Sequence, residues 1–353
     1  MSRFKKYIPM IATICMLVIG ISLSLSHRET QKEQFQNTFI DIFDTVTQFI
    51  GYADDAETFT KQTNILKEEL ASYHKLYDIY SKYDGINNLK TINENAGIAP
   101  VKVDQKIIDL LEFSIDLYKK TDGEVNIAMG SVLQIWHNYR THGINRPDEA
   151  SLPSIDELQA AYTHCDINNI IIDKEASTVY LSDPDMSLDV GSIGKGYAVQ
   201  RVADYARELG YDSLVINCGG NVAAIGIKAN GSKWRLGIQN PDLESDNNMI
   251  KKVEIEDKCL VTSGDYQRYY VVDGVEYCHI IDPDTLMPPT YFSAVSIITD
   301  DSGLADALST ALFNMPYEEG LALINSIENA EAIWVYKDGS MKYSENFEQY
   351  IVE

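Results

Sequence analysis

A nearly unbroken apolar run from Tyr7 to Leu25, preceded by Arg3, Lys5 and Lys6, decides where the rest of this chain has to fold. At about 1.5 Å per residue, such a run reaches nearly 30 Å as a helix, the depth of a bilayer's hydrocarbon core. The basic flank lies on its N-terminal side, so the positive-inside rule puts everything that follows outside the cytoplasm. Two readings are open: a retained anchor, or a cleaved signal peptide with Ser24-Leu25-Ser26 as a small-x-small site. Thr13 and Ile14 before Cys15 do not fit a lipobox. Either way residues 1–26 are set apart as anchor or signal. Residues 27–40 are polar and charged and read as a linker, and 41–353 form one exported folded domain on the outer side of the cell membrane.

The charge of that domain limits its partners. Twenty-nine basic against 53 acidic side chains give a net charge of −24 over the 353 residues. Such a surface repels nucleic acid and anionic lipid headgroups. It also repels a phosphate-bearing ligand, since two like charges about 4 Å apart cost about 4 kcal/mol near a protein surface. A diphosphate therefore binds here only where a metal ion or local Lys/Arg reverses the field. The five cysteines, Cys15, Cys165, Cys218, Cys259 and Cys278, match no zinc pattern and no dense disulfide framework. Pairing among the last four stays open.

Periodicity predicts an α+β domain, with a mixed or antiparallel sheet and helices packed outside. Strand-like segments lie at 43–53, 214–217, 234–238, 253–255, 259–262, 269–272 and 294–298, with a hairpin at 169–172 and 179–181. Helical spacing marks 56–83, 103–120, 155–163, 197–209, 303–313 and 317–326. Ser154 followed by Glu157 gives the third of these a capping-box start.

Three segments carry chemistry. The first is Asp189-Val190-Gly191-Ser192-Ile193-Gly194-Lys195-Gly196, a strand end and glycine turn leading into a helix. Exposed N–H groups at such a turn favour phosphate, and Lys195 adds positive charge, although the order is not that of a Walker loop. In the second, Asp306 and Thr310 stand four residues apart, so both oxygens share one helix face and suit a hard cation. The same pair would equally serve as a first-turn acid and a threonine bonded back to its own helix. In the third, Thr262–Tyr269 precedes Cys278-His279-Ile280-Ile281-Asp282-Pro283, where an imidazole near an Asp-Pro turn could deprotonate a hydroxyl.

Taken together and in this order, these segments resemble the FAD:protein FMN transferase (ApbE) family from about Thr45 to Val352. Its DxGxxAKGYA pattern is matched by Asp189–Ala198 and its NxGG pattern by Asn217–Gly220. TSGDYxRY, HIIDP and ADALSTA are matched by Thr262–Tyr269, His279–Pro283 and Ala305–Ala311. Asn93, and the stretch from Asp122-Gly123 through Ala128-Met129-Gly130 to Trp136, resemble upstream family segments. The resemblance implies an ApbE-type, T-fold-like domain. It also implies a flavin transferase that cleaves FAD with Mg²⁺ (or Mn²⁺) and moves FMN onto a Thr/Ser hydroxyl of an acceptor protein, releasing AMP. The acceptors so implied are flavoprotein subunits of membrane electron-transport complexes.

Carried over residue by residue, Ser192, Asp306 and Thr310 would hold the metal. Ala128, Met129, Gly130, Asp189, Lys195 and Ile280 would contact FAD, with Phe43 or Asp44 as an N-terminal contact. His279 would be the base, with Asp282 orienting it or sharing the task. Ser192 and Gly194 depart from the commoner Gly and Ala, Glu124-Val125-Asn126 replaces Ala-Phe-Asp, and Asn221 stands where an acid often follows NxGG. Two rival outcomes share the same residues: a metal-dependent FAD pyrophosphatase giving FMN and AMP, and a non-enzymatic exported flavin-binding protein.

Overall fold

The computed structural model describes residues 32–353, so the anchor or signal segment lies outside the described residues. The framework is an eight-stranded sheet, antiparallel throughout: β1 (Glu33–Ile42), β2 (Thr45–Ala53), β6 (Ser213–Cys218), β7 (Asn221–Gly226), β10 (Cys259–Gly264), β13 (Phe292–Thr299), β14 (Glu331–Tyr336) and β15 (Met341–Tyr343), in that order across the sheet. Three smaller sheets accompany it. One holds β3 (Val101–Lys102), β5 (Thr178–Leu181) and β4 (Ile170–Asp173), and another β16 (Ile351–Val352), β9 (Met249–Ile255) and β8 (Trp234–Gln239). The third is a hairpin of β11 (Tyr269–Val272) and β12 (Val275–Cys278). The helices are α1 (Ala56–Tyr77), α2 (Leu89–Glu94), α3 (Gln105–Lys120), α4 (Gly130–Asn145), α5 (Ile155–Tyr162), α6 (Gly194–Glu208), α7 (Ser302–Asn314) and α8 (Tyr317–Asn325).

Alternation along the strands divides the core. Phe49, Ile216, Ala223, Val261, Val295 and Ile297 face the helices, while Ile50, Val215, Val222, Leu260, Ile298 and Ile333 face the β8–β9–β16 sheet, where Trp234 and Phe347 are buried. Both faces of the large sheet are thus covered, one by helices and the other by a second sheet. A satellite core around Trp136, Val132, Leu158 and Tyr270 joins α4 to the β11–β12 hairpin. Its anchor is the Trp136 indole, which donates to the Leu286 carbonyl at 3.0 Å.

The expected linker is corrected in part, because its second half is strand. From Glu33 every second residue turns inward (Phe35, Asn37, Phe39, with Ile42 fully buried), and the Asn37 amide donates to Thr63 of α1 at 2.5 Å. Ile42 pairs with Thr45, so Phe43 and Asp44 form a two-residue turn, both at positive φ (53° and 51°). Side chains there are strained. The Phe43 N–H donates to His74 Nδ1 at 3.3 Å. The helix expected to run to Tyr83 stops at Tyr77, where Asp78 turns its carboxylate onto the N–H groups of Tyr80 and Ser81. Ser154 caps α5 as its spacing predicts, accepting the Glu157 N–H at 3.2 Å.

Candidate active site

The site forms where α6 and α7 meet at one end of the large sheet. Gly196, in the first turn of α6, has no room for a side chain: a Cβ there would lie 2.2 Å from the Ser302 carbonyl oxygen and 2.4 Å from Asp306 Cβ. This close approach lets the Gly196 N–H donate to Asp306 Oδ2 at 2.8 Å, leaving Oδ1 for a ligand. Asp306 is 5 % exposed. Burial pushes its carboxyl pKa upward, opposed by the positive charge of Lys195, by the Asn221 side-chain amide and by the Gly196 N–H. One turn later on α7, Thr310 places its hydroxyl 3.5 Å from Ser263 Oγ of β10, which also bonds Ser309 Oγ at 2.7 Å. A buried carboxylate with a free oxygen beside hydroxyls is a hard-oxygen donor set, and it fits Mg²⁺ or Mn²⁺. Ser192 lies in the turn before α6, partly buried. Among the described residues, the one His/Cys/Asp/Glu cluster at metal-ligand spacing is elsewhere, at His164, Asp183 and Asp185. There His164 Nδ1 lies 2.8 Å from Asp183 Oδ2, an ordinary ion-pair geometry.

Lys195 reaches across to the first residue of β7, donating to Asn221 Oδ1. Asn221 is 1 % exposed, and its side-chain amide faces the Asp306 carboxyl as well as Lys195. The turn before it, Gly219-Gly220, has positive φ at both residues, and a Cβ on Gly219 would lie 2.3 Å from Thr45 Oγ1. The Phe43-Asp44 turn and the α6 start therefore sit at the same end of the sheet.

A second wall is built from 126–131 and 187–191. The two sides of the Asn93 carboxamide hold Leu188, donating to its carbonyl at 2.9 Å and accepting its N–H at 2.8 Å. The Gly130 N–H donates to the Ser187 carbonyl and the Asp189 N–H to the Ile127 carbonyl, each at 2.9 Å. Ala128 N–H is taken by Asn126 Oδ1 at 2.9 Å, and Met129 N–H by the Asn126 carbonyl. The N–H groups of Ala128, Met129 and Gly130 are all engaged and the three residues are buried, so they form the packed back of this wall and not a phosphate cradle. Asp189 accepts the Gly191 N–H at 2.8 Å. Burial raises its pKa, against that hydrogen bond and the charges of His137 and Arg140.

His279 follows β12 directly. Burial pushes its imidazole pKa down to about 3, helped by the like charges of Arg268, Arg140 and Lys195. Its Nδ1 is buried without a partner among the described residues. The imidazole is therefore neutral at physiological pH and able to accept a proton. Ile280 is 7 % exposed and packed into the main core, so only its backbone can face a ligand.

Both carboxylate oxygens of Asp282 are engaged within its own loop. Its Oδ1 accepts the Asp284 N–H at 2.8 Å and the Thr285 N–H at 3.4 Å, and its Oδ2 accepts the Thr285 hydroxyl at 2.8 Å. Among the described residues no hydrogen bond joins it to His279. The carboxylate closes the 282–287 loop whose Leu286 carbonyl holds Trp136. Asp282→Ala is expected to lower stability by about 1–3 kcal/mol, read by denaturant midpoint. Asp282→Asn should keep near-normal activity, and a loss as large as that of a His279 variant would return Asp282 to the chemistry.

One basic residue near the base, Arg140, was not foreseen. Arg140 lies on α4, its guanidinium 3.2 Å from His137 Nδ1, and Tyr80 packs on the His137 ring at 5.3 Å. The signal for α4 was Val132, Trp136, Tyr139 and Gly143 at helical spacing, hidden by a start with no side-chain cap.

Comparison with known proteins identifies the family of the chain. The ApbE family model matches residues 43–334. A Treponema pallidum protein named FAD:protein FMN transferase is 33% identical over 270 residues, covering 72% of each chain. A Klebsiella pneumoniae protein of the same name is 30% identical, covering 77% of this chain and 83% of its own. The crystal structure of the ApbE protein from Thermotoga maritima superposes with a TM-score of 0.78 over 92% of this chain and all of that one, at 26% identity. With its fold shared and most of its length matched, the chain belongs to the ApbE family.

Proposed function

We propose that this protein is an FAD:protein FMN transferase, which splits FAD and places its FMN half on a Thr/Ser hydroxyl of an acceptor protein, releasing AMP. The observation that carries the reading is the buried Asp306 carboxylate, held by the Gly196 N–H beside Lys195 with the Thr310 hydroxyl one turn away. Asp306 and Thr310, with an oxygen from Ser192, would hold Mg²⁺. When bound, that ion would neutralise the diphosphate and stabilise charge on the departing AMP. Lys195 and the uncapped start of α6 favour the same anionic group. Ala128–Gly130, Asp189 and Ile280 line the remainder of the FAD site. His279 takes the proton from the acceptor hydroxyl as its oxygen attacks the FMN-side phosphorus and the bond to AMP breaks. We further propose that the acceptors are subunits of membrane electron-transport complexes, met outside the cytoplasm by a domain held through the Tyr7–Leu25 segment.

The direct test incubates the domain with FAD, Mg²⁺ and an acceptor protein, then seeks flavin fluorescence and the added FMN mass on the acceptor. FMN and AMP released at the same rate without acceptor labelling would make the protein a pyrophosphatase. Intact FAD recovered after long incubation would make it a binding protein.

The base has its own signature. His279→Ala should lower kcat by about 10²–10⁴-fold. In the free enzyme burial, helped by the cations around His279, holds its pKa down to about 3, so the acid limb of kcat/KM should lie well below pH 6.5. Bound diphosphate offsets those cations and raises the imidazole pKa, so the acid limb of kcat should lie at higher pH than that of kcat/KM. A His279→Ala enzyme of normal kcat would remove the histidine from the mechanism. The same depressed pKa makes native stability fall as pH drops below about 6.5, where only the unfolded chain gains the proton.

A further inference from the structure

Acids are plentiful in a chain of net charge −24, and most of its arginines use them. Arg146, Arg201, Arg207 and Arg235 each hold a carboxylate oxygen at 3.0–3.2 Å. Arg140 and Arg268 hold none among the described residues, and the charges of both bear on His279. The fold brings them there from two elements. In the β11–β12 hairpin Tyr269 pairs with Cys278, so Arg268 and His279 stand opposite each other one step further on. Alternation along the strands puts these two on the side that Tyr270 and Tyr277 turn to the satellite core. The imidazole also bonds the Arg268 backbone, which favours its charged form. Helix α4 packs on that side: a Cβ on Gly143 would lie 2.7 Å from Tyr270 Cδ2, and Arg140, three residues earlier, shares that helix face. One N–H of the Arg140 guanidinium meets His137 Nδ1 at 3.2 Å, and the rest of its fork has no partner among the described residues. Burial and the like charge of Arg268 lower its pKa, against the fields of Tyr80 and Asp189. Keeping a guanidinium partly out of water with no counter-ion is costly. Two such groups beside one imidazole leave room for an anion that comes and goes.

Resting on the transferase reading, we propose that Arg140 and Arg268 form a phosphate clamp on the base's side of the site, gripping the non-bridging oxygens of the FMN-side phosphate during transfer. The reaction brings that phosphate to them. His279 takes the proton of the acceptor hydroxyl, the new O–P bond forms, and the bond to AMP breaks with its electron pair leaving on the AMP phosphate. Attack is in line, so AMP departs on the side away from the base. The non-bridging oxygens of the FMN phosphorus lie around that axis, where cations beside His279 meet them. Guanidinium forks suit phosphate oxygens, and positive charge fixed there stabilises the negative charge those oxygens carry in the transition state. A carboxylate paired with either arginine would cancel that field.

The test uses the full chain in detergent. It compares wild type, Arg140→Gln, Arg268→Gln, the double variant, Arg268→Lys, and Arg235→Gln, whose guanidinium pairs with Glu254 between β8 and β9. Binding of FMN and of uncharged riboflavin is followed by flavin fluorescence with divalent ions chelated, so the phosphate is read against the protein's own cations. Wild type should prefer FMN, and each Arg→Gln change should cut that preference by about tenfold while riboflavin binding stays the same. In the transfer reaction each should lower kcat by about 10²-fold, and Arg268→Lys should recover part of the loss, since lysine keeps the charge without the fork. Removing either like charge favours the protonated imidazole, so the acid limb of kcat/KM should move to higher pH; a merely structural role would leave it in place. Arg235→Gln should change none of these, and thermal melts check that every variant is folded. If the double variant matches wild type in FMN binding, kcat and acid limb while the acceptor is labelled, the inference falls and the transferase reading stands. If it raises only KM for the acceptor, the arginines serve the acceptor and the inference falls as well. If the variants lose the FMN preference but wild type labels no acceptor, the phosphate site stands and the transferase reading falls. If wild type binds FMN no better than riboflavin, the inference falls, and if it also labels no acceptor, both fall.

Discussion

Asp306→Asn should reduce FMN transfer by about 10³-fold or more while leaving the metal-free protein at least as stable as wild type. The second half follows from the sign of the Asp306 pKa shift. Burial raises the carboxyl pKa, so the folded state holds its proton more tightly than the unfolded chain does. The stability linked to that proton is present at low pH and lost as pH rises through the carboxylate range, so at neutral pH the charge weighs against folding. Asparagine removes the charge, and its oxygen can still accept the Gly196 N–H. What the variant loses is the ion. With Mg²⁺ and FAD at about 100 times their dissociation constant, wild type should gain about 2.7 kcal/mol of stability, and the variant should gain none. Thermal melts with and without the ion, alongside acceptor labelling, read both effects. A variant that labels the acceptor as well as wild type, or keeps the ion-dependent rise in Tm, would move the metal elsewhere.

The second large effect is steric. Gly196→Ala would drive a methyl group against the Ser302 carbonyl and Asp306 Cβ, both part of α7. Since backbone cannot rotate aside as a side chain can, α6 and α7 must separate. Overpacking of this kind costs about 1–3 kcal/mol or more, and the shift falls on the Gly196–Asp306 bond that sets the site. Stability and transfer should both drop, transfer by orders of magnitude. Gly194→Ala is the control two residues away on the same helix. Its Cβ would meet Val190 Cγ2 at 3.1 Å and Tyr77 Cδ2 at 3.7 Å, both side-chain atoms that can yield. Alanine's helix preference offsets that crowding, so stability should change by no more than about 0.5 kcal/mol. Equal losses from the two substitutions, by denaturant midpoint and labelling rate, would show that close approach at Gly196 is not what positions Asp306.

What could be read from the chain depended on how far each signal reaches. Helices α6 and α7, the β4–β5 hairpin and the Ser154 cap were legible because their cues are local: glycine turns, helical spacing, a capping residue three before its partner. Strand β1 was not, because its inward positions include Asn37 among charged and amide neighbours, so alternation hides under a polar composition. Strand β14 is a short apolar run that periodicity alone did not separate from its surroundings, and α4 begins at a glycine without a cap. The site divides in the same way. Asp306 and Thr310 share a helix face by spacing alone, and Lys195 follows the glycine turn. The resemblance pairs Asp282 with His279, whereas hydrogen bonds to Asp284 and Thr285 tie it into its own loop. The Lys195–Asn221 contact and the guanidinium of Arg140 belong to tertiary packing. No local pattern announces them.

The sulfur chemistry of the fold has one more consequence. Cys165, Cys218, Cys259 and Cys278 are all unpaired and buried, none more than 5 % exposed, and burial raises the pKa of each thiol. Oxidants and alkylating reagents act on the thiolate and need access to it. A folded copy therefore gives an oxidising environment almost nothing to attack, and it is stable there without any cross-link. Only a chain that has opened exposes these groups, so the rate at which they react reports how often this domain unfolds.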